Sequence, residues 1–286
     1  MFTPHPRREP VPLNMPPSTA LQRAEAGGAP IDAFVNDWVV NTNGNLYWRA
    51  RGRLPRYPIP NWPFGDEKGK MMLEIGCSWG RWCVAASRTG LNPIGMDVHI
   101  DALGAAKRVC KQLHAESDFV CGDAHVLPFK SRSIDLVFSY SVLQHIDRAK
   151  ARRIFLEIAR ILKPDGRCII QLPNTSGLLN LLQQAKRGFR EARAESFEMR
   201  YWSRGEINES LLKAGFHDVR IHVDGFFSQD PQISDLDLLG PAGKLIVIAS
   251  CAGRLAAHAM PFLTRVADSL WIEARPAPET ESAATW

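Results

Sequence analysis

The stretch "LEIGCSWGRW", Leu73 to Trp82, decides the fold. It reads as a strand running into a sharp turn and then a helix, with Gly76 and Gly80 four apart and Ser78 between them. Such strand–turn–helix units cradle nucleotides or cofactors, because glycines let the backbone turn tightly and approach a ligand closely. Working outward, the same alternation repeats. "MMLEIG" is a strand and "RWCVAASRTG" a helix closed by Gly90. "NPIGMDV" is a second strand, followed by a helix over about 100–114. "DFVCGDA" and "SIDLVFSY" are strands three and four. A helix over 148–162 follows, with Asp147 as its cap and an apolar stripe of Ile154, Phe155, Ile158, Ile161 and Leu162. "KPDG" (Lys163 to Gly166) is a turn and "RCIIQLP" the fifth strand.

Beyond Pro173 the pattern loosens. A basic helix is expected over 177–194, and another over 203–214 with a capping box from Ser203 to Glu206. "HDVRIHV" is a sixth strand and "SLWIEARP" the last. Between them, Lys244, Arg254, His258 and Arg265 fall on one narrow arc at about 100° per residue, which favours a helix broken at Pro261. The expectation is an α/β chain: a Rossmann-like, doubly wound, mostly parallel seven-stranded sheet, with helices on both faces and a helical insertion before the last strand. Residues 1–30, with seven prolines and no long apolar run, read as a disordered tail without a secretory signal. Residues 31–70 form an N-terminal cap segment, 71–276 the main domain with insertions at 174–202 and 225–268, and 277–286 a second tail.

Composition excludes several classes. The chain has 286 residues, 45% apolar and 23% charged, so it is an ordinary globular protein. No stretch reaches the roughly 18 apolar residues of a membrane span. Six cysteines form no C-x-x-C pair and no Cys/His zinc spacing, so no metal is expected and a reducing, cytoplasmic setting is. Cys121 and Cys168 lie in apolar runs and read as small hydrophobes. The net charge is +5, concentrated in "RARGRLPR" (Arg49 to Arg56) and "KRGFREAR" (Lys186 to Arg193). Such patches are solvated faces or attract phosphates, acidic lipid or nucleic acid.

Four signals sit at the carboxyl ends of strands: the Glu74–Gly80 turn, Asp97, Asp123 and "FSYSVLQHI" (Phe138 to Ile146). Ligands of open parallel sheets bind at those ends. Asp97, 23 residues past Glu74, is placed to accept ribose hydroxyls, and Asp123 one strand further out suits an adenine amino group. The dinucleotide fingerprint requires glycine at three positions occupied here by Gly76, Ser78 and Arg81, so it fails, and no phosphate-binding Gly-Lys-Ser/Thr is present. A nucleoside without phosphates remains.

These residues resemble the class I S-adenosylmethionine-dependent methyltransferases. "EIGCSWG" matches the family's first motif except at Ser78, and "GMDV", "GDAHVLPF", "SIDLVFSYSVLQHI" and "ILKPDG" resemble its later landmarks in order. The last two resemble the small-molecule subset that includes quinone-biosynthesis enzymes. The resemblance implies S-adenosyl-L-methionine as cofactor and S-adenosyl-L-homocysteine as product. It places the backbone of Gly76, Cys77, Ser78 and Gly80 against the methionine part. Asp97, with Val98 beside it, meets the ribose, Asp123 and Ala124 the adenine, and Ser139 and Tyr140 the sulfonium. Glu74 either orders the loop or touches the ligand. His145 is the candidate general base, and Tyr140 is placed to orient the acceptor. The chain lacks Asn/Asp-Pro-Pro-aromatic after strand four, where it has Ser139-Tyr140-Ser141-Val142, and no cysteine follows a proline. The expected reaction is therefore O- or C-methylation of a small-molecule, sugar or lipid-linked acceptor. RNA methylation and a non-catalytic partner role are the alternatives, and nucleic acid is not the expected partner. The N-terminal Trp/Tyr/Arg segment, 174–202 and 225–268 are expected to select the acceptor, the last as a lid, as plain packing, or as a peripheral contact with the inner membrane surface.

Overall fold

Seven short apolar runs become seven strands of one sheet in the computed structural model, which describes residues 31–42, 47, 54–193, 196–227 and 232–277. The two proposed tails, apart from Ala277, and most of the Arg49–Arg56 patch lie outside the described residues. Ala277 itself is tied to the fold, its amide donating to the Gly215 carbonyl (2.7 Å).

The chain enters through α1 (Ala33–Thr42) and then largely alternates strand and helix. β1 (Met71–Ile75) leads to α2 (Arg81–Ser87), β2 (Asn92–Asp97) to α3 (Ile100–Gln112), and β3 (Asp118–Cys121) to β4 (Ile134–Ser139). Next come α4 (Arg148–Ile161), β5 (Leu162–Pro173), α5 (Leu178–Lys186), α6 (Arg204–Lys213), β6 (Phe216–Gly225), α7 (Pro241–Ala259) and β7 (Ser269–Pro276). The strand order is β3-β2-β1-β4-β5-β7-β6. All pairs are parallel except those of β7, which runs antiparallel to both β5 and β6. The winding reverses between β1 and β4, where Leu73 pairs with Val137 and Ile75 with Ser139.

Local chemistry sets the helix ends. Asp147 Oδ1 accepts from the Ala149 amide (2.9 Å) at the start of α4. Ser203 and Glu206 close the capping box of α6 in both directions. Each such cap is worth about 1 kcal/mol. The expected basic helix over 177–194 stops at Lys186, because Gly188 and Phe189 both adopt positive φ (63° and 55°) and end the i→i−4 ladder. The expected "KPDG" turn survives inside β5 as a bulge: Ile134 pairs with Leu162, but Leu136 already pairs with Arg167.

One face of the sheet is sealed by α4 and α6 through Ile154, Phe155, Ile158, Ile207 and Leu211. On the other, Met72, Leu136, Phe138, Ile169 and Trp271 meet Trp82 of α2 and then Ile59, Trp62 and Phe64 of the N-terminal segment. Trp62 lies 5.3 Å from Phe138 and Phe64 4.9 Å from Trp271, both by ring centroid. These two aromatics of the N-terminal segment are therefore sheet packing, a role the sequence had not assigned them. Cys168 is fully buried, as expected, whereas Cys121 is exposed, because β3 is an edge strand with one side open to water.

Candidate functional site

The turn after β1 is built from three residues in the left-handed region: Gly76 (φ 74°), Ser78 (49°) and Gly80 (76°). Two of these positions favour glycine for a second reason, Gly76 most strongly. A Cβ on Gly76 would lie 2.3 Å from Val142 Cγ2, across the switch point from β4, and one on Gly80 would lie 3.0 Å from Ala106 Cβ. The turn is held by the backbone of β2: the amides of Gly76 and Cys77 both donate to the Met96 carbonyl (2.7 and 3.0 Å). Ser78 tolerates its strained φ because its amide donates to Asp97 Oδ2 (2.9 Å). Its hydroxyl is buried with no partner among the described residues.

Glu74 sits beneath this turn, 2% exposed, and accepts from Cys83 Sγ (3.0 Å). Burial pushes its carboxyl up to about 7. Cys77 likewise turns its side chain into a cluster with Cys83 and Leu103, leaving only its backbone on the turn.

Asp97 ends β2, its Oδ1 accepting from the His99 amide (2.9 Å). A carboxylate with one amide on each oxygen keeps lone pairs for further donors. One strand out, Asp123 Oδ1 accepts from the His125 amide (2.9 Å) and meets His125 Nδ1 (2.5 Å). The amide of His125, more than any other group, holds the Asp123 carboxyl below its ordinary value. Val98 and Val126 stand exposed next to these two acids, and Ala124 is buried. Val126 escaped the sequence reading, because an apolar residue in a polar loop carries no signal until its exposure is known. Two acids with exposed valines beside them suit a flat heterocycle bearing hydroxyls and an amine, so the edge fits the nucleoside half of S-adenosylmethionine.

Across the switch point, Ser139 is buried with Oγ donating to the Ile75 carbonyl (3.3 Å). Tyr140 is also buried, between Trp82 and Trp271 (ring centroids 5.5 and 5.1 Å), with Arg81 5.1 Å above its ring. Its hydroxyl donates to Asp224 Oδ2 (3.1 Å) at the end of β6. Ser269 Oγ donates to the same oxygen (2.6 Å) and accepts from Gln171 Nε2 (2.7 Å), and Gln171 Oε1 takes the Ser141 amide (2.9 Å). Asp224, Ser269 and Gln171 were not visible in the sequence as site residues.

His145 follows in a short 3-10 turn, Leu143–His145. Its Nδ1 donates to the Phe197 carbonyl (3.0 Å), which leaves Nε2 as the acceptor facing Gln144 Nε2 (3.2 Å). The Phe197 ring stacks on the imidazole at 4.0 Å, and Arg200 donates to the His145 carbonyl (3.0 Å). Burial, with the nearby Arg200 charge, lowers the imidazole below its ordinary value. The 174–202 insertion thus fixes the candidate base. The insertion at 225–268 docks on the N-terminal segment through Arg56, which meets Asp235 (3.3 Å) and Asp237 (2.7 Å), while Tyr47 donates to Asp235.

A surface cavity of about 650 Å³ opens at the opposite end of the sheet among Asn92, Pro93, Ser117 and Asp118, where β2 and β3 begin. Ligands of such sheets bind at the carboxyl ends, so the Gly76–Asp97–Asp123–Ser139 edge is the candidate site.

A doubly wound α/β domain with a nucleoside-type edge at its switch point is what these observations define. Residues 73–170 match the family model described as a methyltransferase domain. The biotin biosynthesis bifunctional protein BioHC of Cellvibrio japonicus is 30% identical over 145 residues, which are 50% of this chain and 27% of that protein. A ubiquinone biosynthesis O-methyltransferase of Coxiella burnetii is 24% identical over 107 residues, 37% of this chain and 45% of that protein. The chain thus spans less than half the length of these curated relatives. Among solved structures, phosphoethanolamine N-methyltransferase 2 of Haemonchus contortus, in complex with S-adenosyl-L-methionine, superposes with a TM-score of 0.50 at 21% identity, covering 86% of this chain and 56% of that one. That likeness is one of fold.

Proposed function

We propose that the chain transfers the methyl group of S-adenosyl-L-methionine to a small-molecule, sugar or lipid-linked acceptor, by O- or C-methylation. The observation that carries this reading is the Gly76–Gly80 turn, locked to Asp97 on the same strand edge that presents Asp123. The biosynthetic relatives, whose names give biotin and ubiquinone, support a small-molecule acceptor.

Bound at this edge, the donor would supply a methyl carbon activated by a cationic sulfur. The chain's own task is then alignment and exclusion of water. Asp97 would take ribose hydroxyls on its remaining lone pairs, Asp123 and the Ala124 amide would hold the adenine, and Ser139 would stand on the sulfur side. A hydroxyl acceptor also has to lose a proton. His145 takes it on Nε2: its lowered pKa keeps it neutral at pH 7, and its Nδ1–H is already committed to Phe197. The acceptor would displace the Gln144 amide from Nε2. Tyr140, fixed by Asp224, orients the acceptor from the other side.

Titration calorimetry with S-adenosyl-L-methionine tests the donor half, and absence of binding at millimolar donor overturns it. A labelled-methyl assay across small-molecule, lipid and RNA fractions tests the acceptor half. Label in small-molecule or lipid fractions is expected, and label confined to RNA overturns the acceptor class.

A further inference from the structure

The outer face of α7 and of the 3-10 turn that follows it, Pro261–Arg265, is apolar and open to water. Leu245, Ile248, Leu255 and Phe262 are 68%, 54%, 74% and 63% exposed. The three on α7 recur at intervals of three and seven residues, which puts them on one side of the helix. The inner side is already used. Val247 and Cys251 are buried, Ser250 Oγ accepts from the Phe226 amide (2.8 Å), and Arg254 reaches the Asp224 carbonyl (3.5 Å). The basic arc read from the sequence therefore splits: Arg254 turns inward while Lys244 and Arg265 are exposed, and the His258 side chain lies outside the described residues. The start of α5 extends the face. The Leu178 amide donates to the Val266 carbonyl (3.2 Å), and Leu178, Leu181 and Leu182 are exposed. Exposed apolar residues gathered on one helix side in this way mark a contact.

Charge decides between the two occupants that suit such a face. Pro241 to Arg265 contains no Asp or Glu, and Arg204 adds a further cation where it donates to the Thr264 carbonyl (3.4 Å). A two-fold dimer through this face would oppose two sets of like cations with no acid on the element to offset them. An anionic bilayer supplies the missing charge and receives the leucines. We propose that the face formed by α7, Pro261–Arg265 and the start of α5 docks on an anionic lipid surface. It lies in the interface and does not cross it, since no described helix is long and apolar enough to span a membrane. The inner side of α7 packs on Asp224 and so, through Tyr140, on the candidate cleft. A membrane-held acceptor would then meet the catalytic edge beside the bilayer. That consequence rests on the methyltransferase reading, whereas the docking does not.

The test is flotation of the full chain with vesicles of phosphatidylcholine, with and without phosphatidylglycerol. Binding to the anionic vesicles is expected, at least tenfold weaker without phosphatidylglycerol. The double variant Leu245→Glu/Leu255→Glu, at two exposed positions, should lose at least about a hundredfold in partition while donor affinity by calorimetry is unchanged. Lys244→Glu/Arg265→Glu should abolish the preference for anionic vesicles. No flotation of the wild type, or flotation of the leucine variant equal to it, overturns the proposal. So does light scattering that shows a wild-type dimer which the leucine variant dissolves. Donor calorimetry on the same samples reads the methyltransferase half separately.

Discussion

At the candidate donor edge, the turn from Gly76 to Gly80 hangs by its own main-chain amides: two reach the Met96 carbonyl and a third reaches the Asp97 carboxylate, one strand away. Around Tyr140 the arrangement is the reverse. Tyr140, Asp224, Ser269 and Gln171 come from the ends of β4, β6, β7 and β5, and they are joined through side chains alone. The first region is specified by a run of ten residues and its neighbouring strand. The second exists only once strands 45 to 98 residues apart have been laid side by side. A turn built from backbone amides therefore leaves a motif, and a cluster built from convergent side chains does not.

The sharpest way to break this comparison is at His145, on the acceptor side. His145→Ala should lower kcat by about 10²–10⁴-fold. A base must be neutral to act, and burial sets this imidazole below its ordinary value. The wild-type kcat/KM should accordingly fall on the acid side with a midpoint below the ordinary value of about 6.5, and the variant should lack that limb. An identical pH profile in both would remove His145 from the mechanism. On the donor edge, Asp97→Ala removes the acceptor of the Ser78 and His99 amides together with the proposed ribose contact. Donor affinity by calorimetry should drop about a hundredfold, with circular dichroism unchanged. Equal affinity would end the ribose assignment.

Glu74 sharpens the comparison from beneath. Its folded carboxyl titrates at about 7 against an ordinary 4.5, so between those values the folded chain holds a proton that the unfolded chain has released. The contribution is full below pH 4.5 and lost as pH rises through 7. The stability of wild type relative to Glu74→Gln should thus decline by about 3 kcal/mol over that window, read from denaturant melts at several pH values. Parallel pH curves would contradict the burial argument. The smallest effect is at Ser78. Ser78→Gly relieves a left-handed residue, worth about 1–2 kcal/mol, but frees the unfolded chain by about 0.5–1 kcal/mol. A net gain near 0.5 kcal/mol in thermal stability is expected, with donor affinity no weaker; a loss of stability would show that the buried hydroxyl is used.

Much of the fold was legible because its signals are local. The strand–helix alternation, the Asp147 cap, the Ser203–Glu206 box and the break at Pro261 each depend on residues a few positions apart. The acids of the donor edge were legible for the same reason, since each ends a strand. Val126 was not, because its value lies in exposure. Nor were Trp62 and Phe64, whose place on the sheet is fixed by Phe138 and Trp271, far along the chain. α7 lies between these cases. Its periodicity defines a helix, yet a few cations on a mostly apolar cylinder leave either side able to face inward, and Phe226 and Asp224 make the choice.

By itself, then, the sequence determined the order of strands and helices, the left-handed turn after β1 and the acids that flank it. Near-neighbour sterics and periodicity set all of these. Tertiary structure alone decided that Tyr140 rests on Asp224, that His145 is clamped by Phe197, and that α7 turns its leucines outward. Each is a contact between residues distant in the chain, and no local propensity encodes which partner will arrive.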